Sequence, residues 1–225
     1  MTEPTRADGP AADHRDDVAG QDGGHRTGRG RLFLTGLAAL LVGVLGTLWV
    51  VQARSSAPTD FGADAGFARD MQTHHAQAVE MALLVRDRTD DETVRTVAYD
   101  IVTSQQQQAG QMYGWLVQWG LAQTGSRPPM AWVGGEHAAA HAEPDGSMPG
   151  MATPAQIDEL QGATGVEAER TFLRLMIDHH TGGVAMAQAA VAEARTPEVR
   201  TLATAIAAAQ TSEIELLQEM LDARA

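Results

Sequence analysis

The stretch FARDMQTHHAQAVEMA, residues 67–82, returns 105 residues later as FLRLMIDHHTGGVAMA, residues 172–187, with eight of 16 positions identical. Phe67, Arg69, Met71, His74, His75, Val79, Met81 and Ala82 pair with Phe172, Arg174, Met176, His179, His180, Val184, Met186 and Ala187. The same offset runs on without a gap, matching Val94, Arg95, Thr96, Ala98, Ile101 and Gln105 with Val199, Arg200, Thr201, Ala203, Ile206 and Gln210. A match that persists through two successive segments is an internal repeat, and the repeated unit reads as a pair of helices.

In the first copy the pattern predicts one helix over 63–87, a break at RTDDE with Asp91 placed to cap the next helix, and that second helix running to about 121. The break in the second copy is TPE, where Thr196 can cap and Pro197 takes the first helical position, which has no intrahelical use for an N–H. Short breaks make each pair antiparallel. Four amphipathic helices of this size give an all-α fold, a four-helix bundle from a duplicated helical hairpin. The bundle is expected over 64–223: repeat one 64–122, an irregular Gly-, Pro-, His- and Met-rich crossover 123–152, and repeat two 153–223. The second repeat starts with a short extra helix at TPAQIDEL, with Thr153 as cap, Pro154 first and Gln156 in the capping-box position.

At 100° per residue, Phe67, Met71, His74, His75, Ala78, Met81 and Ala82 fall within an arc of about 120°, the apolar stripe of a core-facing helix. The histidine pair therefore lies inside the bundle or at its edge, and the repeat places His179 and His180, with Met176 and Met186, on the equivalent stripe. In a pseudo-twofold bundle the two stripes can meet, bringing together four imidazoles and up to four thioethers. Each Met taken singly is adequately explained as core filling, and a single core His as one bonded to a backbone carbonyl. Four buried imidazoles need partners, because an unsatisfied buried polar group costs about 1–3 kcal/mol. Metal coordination or a hydrogen-bonded core network would supply them. Gly182 and Gly183 each cost about 1 kcal/mol inside a helix relative to Ala, so they mark a close approach, room for a ligand or a kink. The crossover adds His137 and His141, four apart, and Met148 and Met151 across a Pro-Gly turn; loop methionines have no helical period to explain them.

Upstream, residues 32–51, LFLTGLAALLVGVLGTLWVV, carry no charge and as a helix would span about 30 Å, the thickness of a bilayer core. Arg26, Arg29 and Arg31 precede this run and Arg54 stands alone after it, so the positive-inside rule keeps the N-terminus cytoplasmic and exports the bundle. The expected organisation is a disordered cytoplasmic segment 1–31, a single-pass transmembrane signal-anchor 32–52 and a linker 53–63. A cleaved signal peptide is the rival, but its apolar region is usually only about 7–15 residues.

Composition narrows the chemistry. All 16 basic residues are Arg, against 29 acids, for a net charge of −13. Such a surface repels nucleic acid and draws cations. With no cysteine, disulfides, thiolate metal sites and cysteine nucleophiles are excluded, and any soft ligand must be Met. His and Met together select copper, Cu(I) above all through thioethers, with zinc second through imidazole alone. A di-iron carboxylate enzyme would need Glu-x-x-His, but Met71, Gln72, Met176 and Ile177 stand three residues before the four histidines. No Ser-centred or phosphate-loop motif supports catalysis, so the chain reads as a binding protein and not an enzyme.

The doubled motif, the helix pair after each copy and MPGMATPAQIDEL between them resemble the bacterial family called domain of unknown function 305, over residues 64–221. That resemblance implies a ferritin-like bundle, export or membrane anchoring, and in some members periplasmic copper binding through His and Met. Carried over residue by residue, it implies ligands at Met71, His74, His75, Met81, Met176, His179, His180, Met186, Met148 and Met151. The expectation is a membrane-anchored extracytoplasmic protein that sequesters or delivers copper, with the core His pairs as the tighter site and the loop, including His137 and His141, where metal enters. A second copy or a copper-handling protein is left open as partner. The alternative is a non-catalytic scaffold or interaction bundle with a His hydrogen-bond network in its core.

Overall fold

The structure, a computed structural model, describes residues 25–54, 57–134 and 146–224. His137 and His141 lie outside the described residues. Among those described, all regular structure is helical: α1 His25–Arg54, α2 Ala63–Arg86, α3 Glu92–Gln118, α4 Pro154–Gly162, α5 Gly165–Glu193 and α6 Pro197–Asp222. The described residues fall into two units, divided between Ser56 and Ala57.

In the first unit, α1 contains Leu34–Val51, long and apolar enough to cross a membrane and with none of that window buried. Leu37, Leu41 and Trp49 all stand exposed on it.

The second unit is the bundle. α2 packs on α3 and α5 on α6, so each repeat is a helical hairpin, and the two hairpins join through α2 against α5, with α4 laid across both. The chain turns where side chains satisfy free helix-end amides. Asp91 accepts from Thr93 N and Val94 N to start α3, Thr196 accepts from Val199 N to start α6, and Thr153 with Gln156 forms a complete capping box before α4.

α2 and α5 run antiparallel, fastened at both ends by buried acids at equivalent positions of the repeat. Asp64, near the start of α2, accepts from Arg195 N, Thr196 N and the Thr196 hydroxyl, just beyond the end of α5. Glu169, near the start of α5, accepts from the Thr89 hydroxyl beyond the end of α2, and from Arg224 Nε at 2.6 Å. Each hairpin thus holds the turn of the other. The core falls into two clusters. Phe67, Met71, Met112, Leu116, Met186 and Ile206 belong to one, and Met81, Val85, Ile101, Phe172, Met176 and Leu217 to the other. The histidines, midway along α2 and α5, occupy the junction.

Candidate metal centre

His74, His75, His179 and His180 are all completely buried, as the helical arc requires. His74 and His179, equivalent positions of the repeat, meet across the α2–α5 interface with ring centroids 3.7 Å apart and planes inclined at 34°. The pseudo-twofold axis passes between them. His180 lies 6.3 Å from His179, ring to ring.

The partners of these rings fix which nitrogen carries hydrogen. A carbonyl can only accept, so His74 Nε2 donates to Pro149 O, 3.1 Å away. His180 Nε2 donates to the Glu213 carboxylate at 2.7 Å, and His75 Nε2 to Gln108 Oε1 at 2.8 Å. In His74 and His75 the lone pair falls on Nδ1, and in all three Nδ1 is buried with no partner; His179 has neither nitrogen satisfied. The amides of Gln105 and Gln210, another equivalent pair, are also buried and unpartnered, and Gln210 Oε1 lies over Gly183 beside the His74 ring.

Burial holds three of these imidazoles neutral. It pulls His74 down from 6.5 to about 4 despite the Pro149 carbonyl, and His75, which also faces His74, to about 3. His179 is lowered well below its ordinary value by burial and then by the neighbouring histidines. Neutral imidazoles with free Nδ1 lone pairs are the protonation state a metal ion requires.

The crossover reaches this site directly. Met148, Pro149, Gly150 and Met151 turn against the middle of α5, and Gly150 has φ +73°, a conformation glycine adopts without penalty. A Cβ on Gly182 would overlap Pro149 O, and one on Gly150 would overlap Asp178 O. Of the alternatives open for Gly182, the close approach is the one realised, against a loop. Gln77 fastens the same segment, donating to Ala152 O at 2.8 Å and accepting from Ala152 N at 2.7 Å. Met148 is buried and Met151 partly so.

The sulfurs do not converge as the meeting of two stripes suggested. Because α2 and α5 are antiparallel, Met71 faces the cluster that holds Met186 and Met148, while Met81 sits with Met176 on the other side of the histidines. Among the described residues no three His, Asp or Glu side chains stand as a finished metal cluster. The four imidazoles come together, and the methionines fall into the two core clusters on either side of them. Sequence reasoning passed over Gln108 and Glu213; the signal was there, since both lie 33 residues beyond their histidines and 105 residues apart.

Known proteins share this arrangement of helices. The model of the family described as domain of unknown function (DUF305) matches residues 64–221. The chain belongs to that family. Among solved structures, a DUF305 protein from Streptomyces coelicolor is 46% identical, with TM-score 0.68 over 74% of this chain and 96% of that one. A DUF305 fragment from Deinococcus radiodurans is 34% identical, with TM-score 0.58 over 71% and 95%. CopM in its Cu(II)-bound form is 24% identical, with TM-score 0.54 over 72% and 96%, and shares the fold. No curated protein matches the chain.

Proposed function

We propose that this DUF305 protein binds copper as cargo, holding it extracytoplasmically on the paired histidines and adjacent methionines for sequestration or delivery. The observation that carries this is the set of orphaned Nδ1 nitrogens. His74, His75 and His180 each donate Nε2–H to a carbonyl or carboxyl-type oxygen and leave Nδ1 buried and unpartnered. Metal-ligating histidines are characteristically held this way, the far nitrogen fixed by an oxygen and the near one free for the ion. A self-contained core network, the scaffold alternative, would close its own hydrogen bonds, whereas these groups stay open at about 1–3 kcal/mol each.

Cu(I) suits the donors best, since imidazole and thioether are present without thiolate, and zinc ranks second. CopM, the 24%-identical structural neighbour, is known in Cu(I)-, Cu(II)- and Ag-bound forms, in keeping with this choice. Met151 borders a cleft of about 520 Å³ lined also by Gln77, Glu80 and Asp158, whose acids would draw a cation toward the loop. The apolar helix Leu34–Val51 would serve as a single-pass anchor, and the Streptomyces neighbour is described as a candidate secreted protein.

The test is anaerobic Cu(I) titration of the full chain in detergent against a chromophoric chelator, with thermal melting in parallel. We expect the protein to withdraw copper from the chelator and its Tm to rise, since a ligand that binds only the native state must stabilise it. His179→Leu, close in volume, should keep the metal-free fold and lose most of the copper-dependent rise. Wild-type protein that leaves the chelator loaded and melts unchanged with copper would overturn the proposal.

A further inference from the structure

The pseudo-twofold axis that equates the two repeats equates the two outer histidines and their partners. His75 Nε2 meets Gln108 Oε1 at 2.8 Å, and 105 residues on His180 Nε2 meets Glu213 Oε2 at 2.7 Å. Ring atom, partner position and distance are alike; the charge is not. Of the equivalent positions Gln105, Gln108, Gln210 and Glu213, three carry neutral amides and Glu213 alone an acid.

We infer that Glu213 is the positioning residue that breaks the symmetry of the site, making His180 the stronger of the two outer donors and fitting the site to a monovalent cation. This rests on the copper reading above. Two physical effects point the same way. A carboxylate accepting Nε2–H draws the proton toward itself and leaves more electron density at Nδ1 than an amide oxygen does, so the His180 lone pair is the more basic ligand. The second effect is charge balance. His180 is wholly buried and Glu213 partly so, with side-chain exposures of 0% and 29%. A cation seated among imidazoles, thioethers and amides carries its full charge into a low-dielectric interior, where an uncompensated charge is costly. One carboxylate neutralises Cu(I) completely and leaves Cu(II) with a residual unit charge. The copy in which position 213 is acidic and position 108 is not thus favours the +1 ion.

Exchange of the two partners tests this. Wild type, Glu213→Gln, Gln108→Glu and the double exchange Q108E/E213Q are prepared as full chains in detergent. Each is titrated separately with Cu(I) and Cu(II) against chelators of known affinity, and its metal-free melt is recorded. Glu213→Gln should weaken Cu(I) about 10-fold or more, within the range for partners of ligating histidines, and weaken it more than Cu(II). The double exchange should recover Cu(I) binding to within about threefold of wild type, because the acid is restored on the equivalent histidine. Gln108→Glu alone, with two carboxylates, should shift preference toward Cu(II). A residue that only supports the fold would change both ions in proportion to the metal-free melt and would not be rescued across the axis, which would overturn the inference. So would wild-type binding with Glu213→Gln unaffected, leaving the copper reading intact. Wild type that binds neither ion removes both.

Discussion

At the scale of single residues, the centre is four buried imidazoles, three of which, His74, His75 and His179, burial holds neutral. His74 and His179 sit 3.7 Å apart, a separation that two imidazolium rings would strongly resist. Folding therefore depends on pH with a definite sign. The folded values of His74 and His75, about 4 and about 3, lie below the 6.5 of the unfolded chain, so the unfolded state binds more protons in acid. Their contribution to stability is intact above about pH 6.5 and is lost as the pH falls from there through the folded values, at up to about 1.4 kcal/mol per pH unit for each histidine. The Tm of the metal-free protein should drop steeply between pH 7 and 4.5, and circular dichroism melts would show it; a flat profile would contradict the buried neutral cluster. The inward direction of these histidines was legible from 100° periodicity. Their partners Gln108 and Glu213 face them from α3 and α6, which single-helix periodicity does not report; only the shared 33-residue spacing within the repeat marked them.

At the scale of elements, the local chemistry of helix ends was readable with little loss. Asp91, Thr153 with Gln156, and Thr196 all cap where their residue types and the following Glu or Pro direct. Glycine inside α5 was readable only as an anomaly. Gly182 and Gly110 are both helical, yet a Cβ at Gly110 meets nothing within 4 Å, whereas one at Gly182 collides with Pro149 O and Gly150 N. Gly110→Ala should stabilise by about 0.5–1 kcal/mol through helix propensity. Gly182→Ala should instead destabilise by about 2 kcal/mol or more, since the loop backbone must move and the Pro149 carbonyl leaves His74. Urea denaturation of the two variants distinguishes them, and a stabilised Gly182→Ala would show that the loop does not press on α5.

At the scale of the whole molecule, the two hairpins are held by reciprocal acid contacts. Asp64 anchors the turn before α6 with its carboxylate, and Glu169 anchors the turn before α3. Asp64→Asn or Glu169→Gln should each lower stability by about 1–3 kcal/mol, because each leaves buried donors poorly matched. If the hairpins form one cooperative unit, urea unfolding followed by tryptophan fluorescence and by circular dichroism should stay coincident in both variants. Separated transitions would mean that each hairpin melts on its own. Helix positions, the duplication, the inward histidine stripe and the absence of any thiolate are set by the sequence alone, because each depends on residue identity and on periods no longer than a repeat. The antiparallel crossing of α2 and α5 was decided only by tertiary structure. That crossing parts Met71 and Met186 from Met81 and Met176, stacks His74 on His179, and sets the Pro149 carbonyl against an imidazole. The physical reason is that an amphipathic stripe specifies which face a helix buries but not the direction or neighbour it is buried against. Those depend on end contacts such as Asp64 with Thr196, more than a hundred residues apart in the chain.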